Sequence, residues 1–117
     1  MIVSDMTKHH PELSLLFHAL ADPTRRSILT SLVQQGPTRV TDLAAYYRMS
    51  LNSVSKHIKV LEAAGLVSRR TAGRVHWISA ELGPVHRIDE WFSQLRSIWE
   101  LRLIKLDETL MEDESDD

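Results

Sequence analysis

Between positions 50 and 59 the chain reads SLNSVSKHIK. The polar residues in it are small or basic: Ser50, Asn52, Ser53, Ser55, Lys56, His57 and Lys59. That set suits a helix lying in the major groove of double-stranded DNA. Small hydroxyls permit close approach, asparagine can pair with adenine, and lysine or histidine can reach base edges or phosphates. The N-terminus of such a helix adds a dipole that favours a neighbouring phosphate. The same residues would also make an ordinary polar face on a surface helix. Further on, Arg69, Arg70 and Arg74 bracket an Ala72-Gly73 turn signal, with no acid between positions 68 and 79. Arginine at the tip of a two-stranded ribbon can touch phosphate or enter a narrow minor groove. It can also simply keep an edge strand from pairing.

These groups need elements to aim them. Thr41 is expected to cap a short helix in which Leu43, Ala44 and Tyr47 face inward. Arg48-Met49-Ser50 makes a turn, and Ser50 caps the next helix. Leu51, Val54, Ile58, Leu61 and Val60 supply the apolar stripe of that helix. Gly65 fits the left-handed position that ends it. Residues 66–71 and 74–79 read as the strands of a hairpin. Two short helices at a sharp angle followed by a ribbon are the plan of a winged helix-turn-helix, a mainly α fold with a small β-hairpin.

Upstream, Pro11 opens a helix that carries Leu13, Leu16, Phe17 and Leu20 on one face. Asp22 can cap a second helix, with Pro23 in the first helical position. That helix buries Ile28, Leu29 and Leu32 and stops at Gly36-Pro37. Downstream, a long helix is expected from Pro84 or Val85 to about Met111. Its apolar residues, from Val85 and Ile88 through Phe92, Leu95, Trp99, Leu103 and Leu106 to Leu110, step by three and four like a coiled-coil seam. Trp91, Ile98, Leu101 and Ile104 widen the stripe. Four short helices and a ribbon cannot cover so much apolar surface, so part of it needs another partner. Residues 1–111 thus read as one domain, with a core at 12–80 and the long helix at 84–111. Residues 1–10 are expected to fray, and 112–117 to form a disordered acidic tail.

Composition narrows the choice of function. The 117 residues are 43% hydrophobic and 26% charged, as in an ordinary globular domain. The net charge of −2 hides an asymmetry. Residues 1–80 hold ten Lys and Arg against five Asp and Glu, and residues 81–117 hold four against eleven. An anionic partner for the first part would explain this, as would a solvated surface with a charged tail. No apolar run approaches the roughly 20 residues of a membrane span. The N-terminus lacks the apolar stretch of a secretory signal, so the expectation is a cytoplasmic protein with no membrane partner. There are no cysteines, which excludes disulfides, thiolate metal sites and cysteine redox sensing. The six histidines, His9, His10, His18, His57, His76 and His86, have poor spacing for a metal site. No metal or cofactor is expected. Nor is an enzyme: there is no Gly-rich phosphate loop, and Asp89 and Glu90 near His86 are ordinary helical neighbours.

The segments LFHALADPTRRSILTSL and VTDLAAYYRMSLNSVSKHIKVLEAAGLVSRRTAGRVHWISA resemble the ArsR-type bacterial winged-helix transcriptional repressors. The resemblance covers about 13–80. The long helix matches in character only, and most closely a cysteine-free branch. It implies a homodimer that binds a pseudo-palindromic operator in double-stranded DNA and usually represses. It places DNA contacts at Ser50, Asn52, Ser53, Ser55, Lys56, His57 and Lys59, and on the wing at Arg69, Arg70, Gly73 and Arg74. The first and last helices would form the dimer interface, through Leu13, Leu16, Phe17, Leu20, Phe92, Leu95, Trp99, Leu103 and Leu106. Arg25 and Arg26 match a recurrent arginine pair, with Arg26 expected to be structural and Arg25 exposed. The family's metal sensors carry cysteines in the third helix or a histidine-carboxylate site in the last. Here TDLAAYY and a lone His86 with Asp89 stand in those places, so the inducer is left unknown. The acidic last third and the apolar helix also suit a winged-helix module that binds protein instead of DNA.

Overall fold

The computed structural model of the protein describes residues 11–115. The expectation for residues 1–10 lies outside them, as do His9 and His10. Helix α1 spans Pro11–Leu20, α2 Pro23–Gln35, strand β1 Thr38–Arg39, α3 Val40–Tyr47, α4 Leu51–Ala63, β2 Val67–Ala72, β3 Val75–Ala80, and α5 Val85–Ser115. The chain divides into two units, Met1–His86 and Arg87–Asp117.

Local chemistry accounts for the helix ends. Pro23 opens α2, where its missing N–H costs nothing. The Asp22 carboxylate accepts the Arg25 backbone N–H at 3.0 Å. That bond holds Asp22 below the usual carboxylate range. Desolvation opposes it, and the nearby charge of Arg25 reinforces it. Gly36 closes α2 at φ 83 and ψ −165 and donates its N–H to the Leu32 carbonyl at 2.9 Å. Only glycine adopts that backbone without strain.

The sheet departs from the expected two strands. It has three antiparallel strands in the order β1-β3-β2. In β1, Thr38 pairs with Ile78 and Arg39 with Trp77. A strand of two residues is too short to show alternation in sequence. Because β1 runs straight into α3, Arg39 occupies the cap position, with extended backbone and no side-chain cap bond. Thr41, expected as the cap, falls inside the first turn. The hairpin loop also shifts by one residue. Ala72 pairs with Val75, leaving Gly73-Arg74 as the turn, with Gly73 at φ 63.

The turn between α3 and α4 depends on an arginine. Arg48 sits in the left-handed region at φ 53 and ψ 43, where helices commonly place glycine. The Met49 N–H reaches back to the Ala44 carbonyl at 3.0 Å and the Arg48 N–H to that of Ala45 at 3.2 Å. These bonds stop α3 and swing the chain into α4. Ser50 then caps α4, accepting the Ser53 N–H at 3.1 Å. Helix α4 ends as expected, with Gly65 at φ 75.

The core of the first unit includes Leu16, Ile28, Leu32, Leu43, Val54, Ile58, Leu61, Leu66 and Ile78. Two expectations change here. Leu51, assigned to the core stripe of α4, is 53% exposed, because it occupies the first turn, beyond the packed part of the helix. Leu16, assigned to a dimer interface, is 1% exposed and belongs to the protomer's own core. Helix α1 also exposes Leu15, which lies outside the face read from sequence. In the second unit α5 continues past Met111 to Ser115, and residues 116–117 of the expected tail lie outside the described residues. Among the described residues no helix is long and apolar enough to cross a membrane.

Two stability predictions follow from the ends of α2. Gly36→Ala should cost about 1–3 kcal/mol by urea denaturation through backbone strain, since nothing lies within 4 Å of the added methyl. Gly83→Ala, which also meets nothing but has no positive φ, should leave stability unchanged. For Asp22 the folded state favours the charged form. Its stabilisation is therefore complete above the ordinary aspartate pKa, about 3.9, and is lost as pH falls through the lowered value. Asp22→Ala should melt earlier than the parent at pH 7, and the two melting temperatures should converge as the pH falls through that lowered value.

Candidate nucleic-acid interface

Helix α4 presents two unlike faces. Val54, Ile58 and Leu61 are fully buried, at the i, i+4, i+7 spacing of a single stripe. Asn52, Ser53, Lys56 and Lys59 project to solvent, and Ser55 is half-buried. The Ser50 hydroxyl is occupied at the helix start, where it also donates to Ser53 Oγ at 3.1 Å.

His57 is placed differently from its neighbours. It is half-buried and turned inward, with Nδ1 3.4 Å from Arg25 Nη1 and 3.9 Å from Asp22 Oδ2. Its contacts are internal to the domain, whereas sequence placed it at the groove. Arg25, expected to be exposed, is engaged instead, whereas Arg26 makes a structural bond as expected. Arg25 is half-buried and donates to the Ala19 carbonyl at 2.8 Å and the His18 carbonyl at 3.0 Å. Arg26 is exposed, although it donates to the Leu20 carbonyl at 2.7 Å. The reason is that α1 ends at Leu20, two residues before the Asp22 cap, so its last carbonyls face the first turn of α2.

The wing splits its arginine pair by the strand pleat. Arg69 turns towards α4, where it meets Glu62 at 2.9 Å, and it lies 3.3 Å from His76 Nδ1. Arg70, on the opposite face, is exposed, and so is Arg74 in the turn. A cleft of about 340 Å³ lies between the wing and the two helices. Arg39 and Thr41 from the start of α3 line it, with Leu51 and Ser55 from α4 and Arg69 and Arg74 from the wing. Arg39 also holds Asp42 through two contacts, of 2.9 and 3.2 Å.

Sequence did not single out Arg39 or Thr41 as site residues. Nothing in their local pattern marks them, because strand β1 alone brings them beside the wing. Across the core, Arg48, Lys56, Lys59, Arg70 and Arg74 carry no hydrogen bond or ion pair among the described residues. Arg25, Arg26, Arg39 and Arg69 are all engaged. Among the described residues no group of three or more His, Asp or Glu could hold a metal ion.

Of the expected interface residues on α1, Leu13 and Leu20 are half-buried and Phe17 is 38% exposed. On α5, Phe92, Leu95, Trp99, Leu103 and Leu106 are all exposed, with Trp99 at 63%. They keep the three- and four-residue steps read from sequence.

Comparison with known proteins agrees with this architecture. A helix-turn-helix domain family matches residues 20–70. The chain is 39% identical over 57 residues to the arsenical resistance operon repressor of Bacillus subtilis, covering 49% of this chain and 54% of that protein. It is 34% identical over 64 residues to the transcriptional repressor SdpR of the same organism, covering 55% and 70%. The matched part thus spans about half the length of the first of these relatives. Among solved structures, an ArsR family transcriptional regulator matches with TM-score 0.72 and 38% identity, over 76% of this chain and 91% of that one. An ArsR-like transcriptional regulator from Rhodococcus sp. RHA1 matches with TM-score 0.81 and 26% identity, over 91% and 96%. With a winged helix-turn-helix whose small and basic residues face outward, and with relatives of this kind across most of its length, the chain belongs to the ArsR family of transcriptional regulators.

Proposed function

We propose that the protein is a homodimeric transcriptional repressor that binds a pseudo-palindromic DNA operator. The observation that carries this reading is the outward face of α4. Asn52, Ser53, Lys56 and Lys59 stand exposed beside a cleft containing Arg39, Arg69 and Arg74. In the major groove, Asn52, Ser53 and Ser55 would sample base edges. Lys56, Lys59, Arg70 and Arg74 would neutralise phosphates. Arg48, exposed at the end of α3, extends this basic surface along the backbone. The names of the relatives, both repressors, support repression as the sign of regulation.

The seam on α5 supports a second copy as the partner. Phe92, Leu95, Trp99, Leu103 and Leu106 are exposed along one helix, and apolar area of that kind is costly to leave in water. Pairing of two protomers would set two copies of α4 about 34 Å apart, one turn of DNA, and so impose a two-fold operator. Leu13, Phe17 and Leu20 of α1 are the proposed additions to that interface.

The test begins with a duplex selected from a random library by the protein itself, titrated by fluorescence anisotropy at several salt concentrations. A selected palindrome bound far more tightly than a scrambled duplex is expected. Equal, weak binding to both duplexes would overturn the reading and favour a protein-binding module. If Arg48, Lys56, Lys59, Arg70 and Arg74 each met one phosphate, the slope of log affinity against log salt would be about −4.5 per protomer, or about −9 for a dimer. Lys56→Ala and Arg74→Ala should each weaken binding and flatten that slope, by about one phosphate per protomer. Separately, Leu103→Asp should convert dimer to monomer in sedimentation velocity at micromolar concentration and abolish tight operator binding. A Leu103→Asp protein that stayed dimeric would remove α5 from the interface.

A further inference from the structure

The polar cluster at the junction of α1, α2 and α4 is left over from the groove and the wing. We infer that Arg25 is a positioning residue for the recognition helix, fixing α4 on the rest of the domain through His57. The inference rests on the reading of α4 as the helix that enters DNA.

Arg25 spends all three guanidinium nitrogens on two elements, α1 and α4. Nε donates to the Ala19 carbonyl at 2.8 Å and Nη2 to the His18 carbonyl at 3.0 Å, which ties it to the end of α1. Nη1 lies 3.4 Å from His57 Nδ1, on the second turn of α4. Its backbone N–H binds the Asp22 carboxylate that caps α2. A planar guanidinium with two of its nitrogens anchored has little freedom left for the third. Arginine can only donate, so the contact with Nδ1 requires that atom to accept, and the ring proton then lies on Nε2. The Asp22 carboxylate lies 3.9 Å from the same Nδ1, beyond hydrogen-bond distance, and bears on the ring only through Arg25, whose backbone N–H it accepts.

The position of His57 in α4 gives this seat its leverage. Ile58 beside it is fully buried, and Lys56 on its other side is exposed. Hydrophobic contact at 54, 58 and 61 decides which face of α4 turns inward, but it is non-directional and tolerates sliding along the helix axis. A directional bond at 57 removes that freedom. It sets where Asn52, Ser53 and Lys56 stand, although Arg25 itself lies on a different helix from all of them. The Arg69–Glu62 ion pair restrains the far end of α4 from the wing side. Arg25 restrains the near half from the α1 side.

A double-mutant cycle on binding to the selected duplex tests this. Arg25→Ala and His57→Ala should each lower affinity, on the order of fivefold to tenfold, with the slope against salt unchanged because no phosphate contact is lost. The double variant should lose no more than either single one. His57→Gln, whose carbonyl oxygen can still accept from Arg25, should restore most of the affinity and keep the same selected sequence. Circular dichroism melts accompany each variant, and the Gln variant keeps the test open should Arg25→Ala fold poorly. Losses that multiply in the double variant would overturn the inference, leaving Arg25 as a cap for α1 alone. A flattened salt slope in His57→Ala would overturn it too, by making His57 a phosphate contact. If Lys56→Ala weakens binding while the cycle shows no coupling, the inference fails and the DNA reading stands. If the parent protein selects no duplex, the DNA reading itself fails.

Discussion

Burial of Val54, Ile58 and Leu61 is the constraint on which the rest of this structure depends. Each side chain removed from water contributes about 1.5–3 kcal/mol, and all three are fully buried on one stripe of α4. A rotation of one residue, about 100°, would expose this stripe and drive polar side chains into the core, where unpaired groups cost several kcal/mol. The outward direction of Asn52, Ser53, Lys56 and Lys59 is thus a consequence of what the opposite face buries. Leu43 and Ala44 of α3 and Leu66 after Gly65 belong to the same core. The angle between the two helices therefore comes from the Arg48 turn, and its maintenance from shared apolar contact.

Much of this was legible because it is written in local chemistry. Asp22-Pro23, Ser50 and Gly36 each act through their own backbone neighbourhood, so the helix starts and stops they dictate appear where sequence placed them. The apolar steps in α4 and α5 survive for the same reason. What failed to show were features that depend on a distant strand. Strand β1 is two residues long and exists only because β3 pairs with it. It displaced the cap of α3 from Thr41 to Arg39 and brought Arg39 to the cleft. The role of Arg25 was equally illegible. Two adjacent arginines have the same composition, and only the direction of the α1 carbonyls decides which one turns inward. His57 likewise looks like its neighbours in sequence, and differs only in facing Asp22.

Helix α5 poses a different physical problem. Its 31 residues include large apolar side chains that stay 41–63% exposed from Phe92 through Leu106. Most helices owe their stability to the tertiary packing of an apolar face, and here that face is left in water. Its steps of three and four residues are those that let two helices interlock side chains. An open seam with that period suits a partner bearing a matching one, and under the proposed function a second copy of the same chain would provide it by symmetry.

The charge of the core is best understood as two populations. Arg25, Arg26, Arg39 and Arg69 hold carbonyls or carboxylates and serve the frame. Arg48, Lys56, Lys59, Arg70 and Arg74 hold nothing among the described residues. Sequence counts both populations alike, which is why the surplus of Lys and Arg in residues 1–80 overstates what a phosphate backbone would meet. An arginine already bonded to a carbonyl or a carboxylate has to give up that bond before it can neutralise a phosphate, so it releases fewer counterions for its charge. The unengaged set is distributed in a way that follows from the fold. Arg48 stands at the turn before α4, Lys56 and Lys59 along the helix, and Arg70 and Arg74 on the wing beyond it. Each of the three segments of the motif thus contributes cations, and a duplex lying across them would be held at more than one point of its backbone. In the proposed complex that geometry would fix the register of α4 against the bases, so contacts that carry no sequence information would decide where the few that do can act.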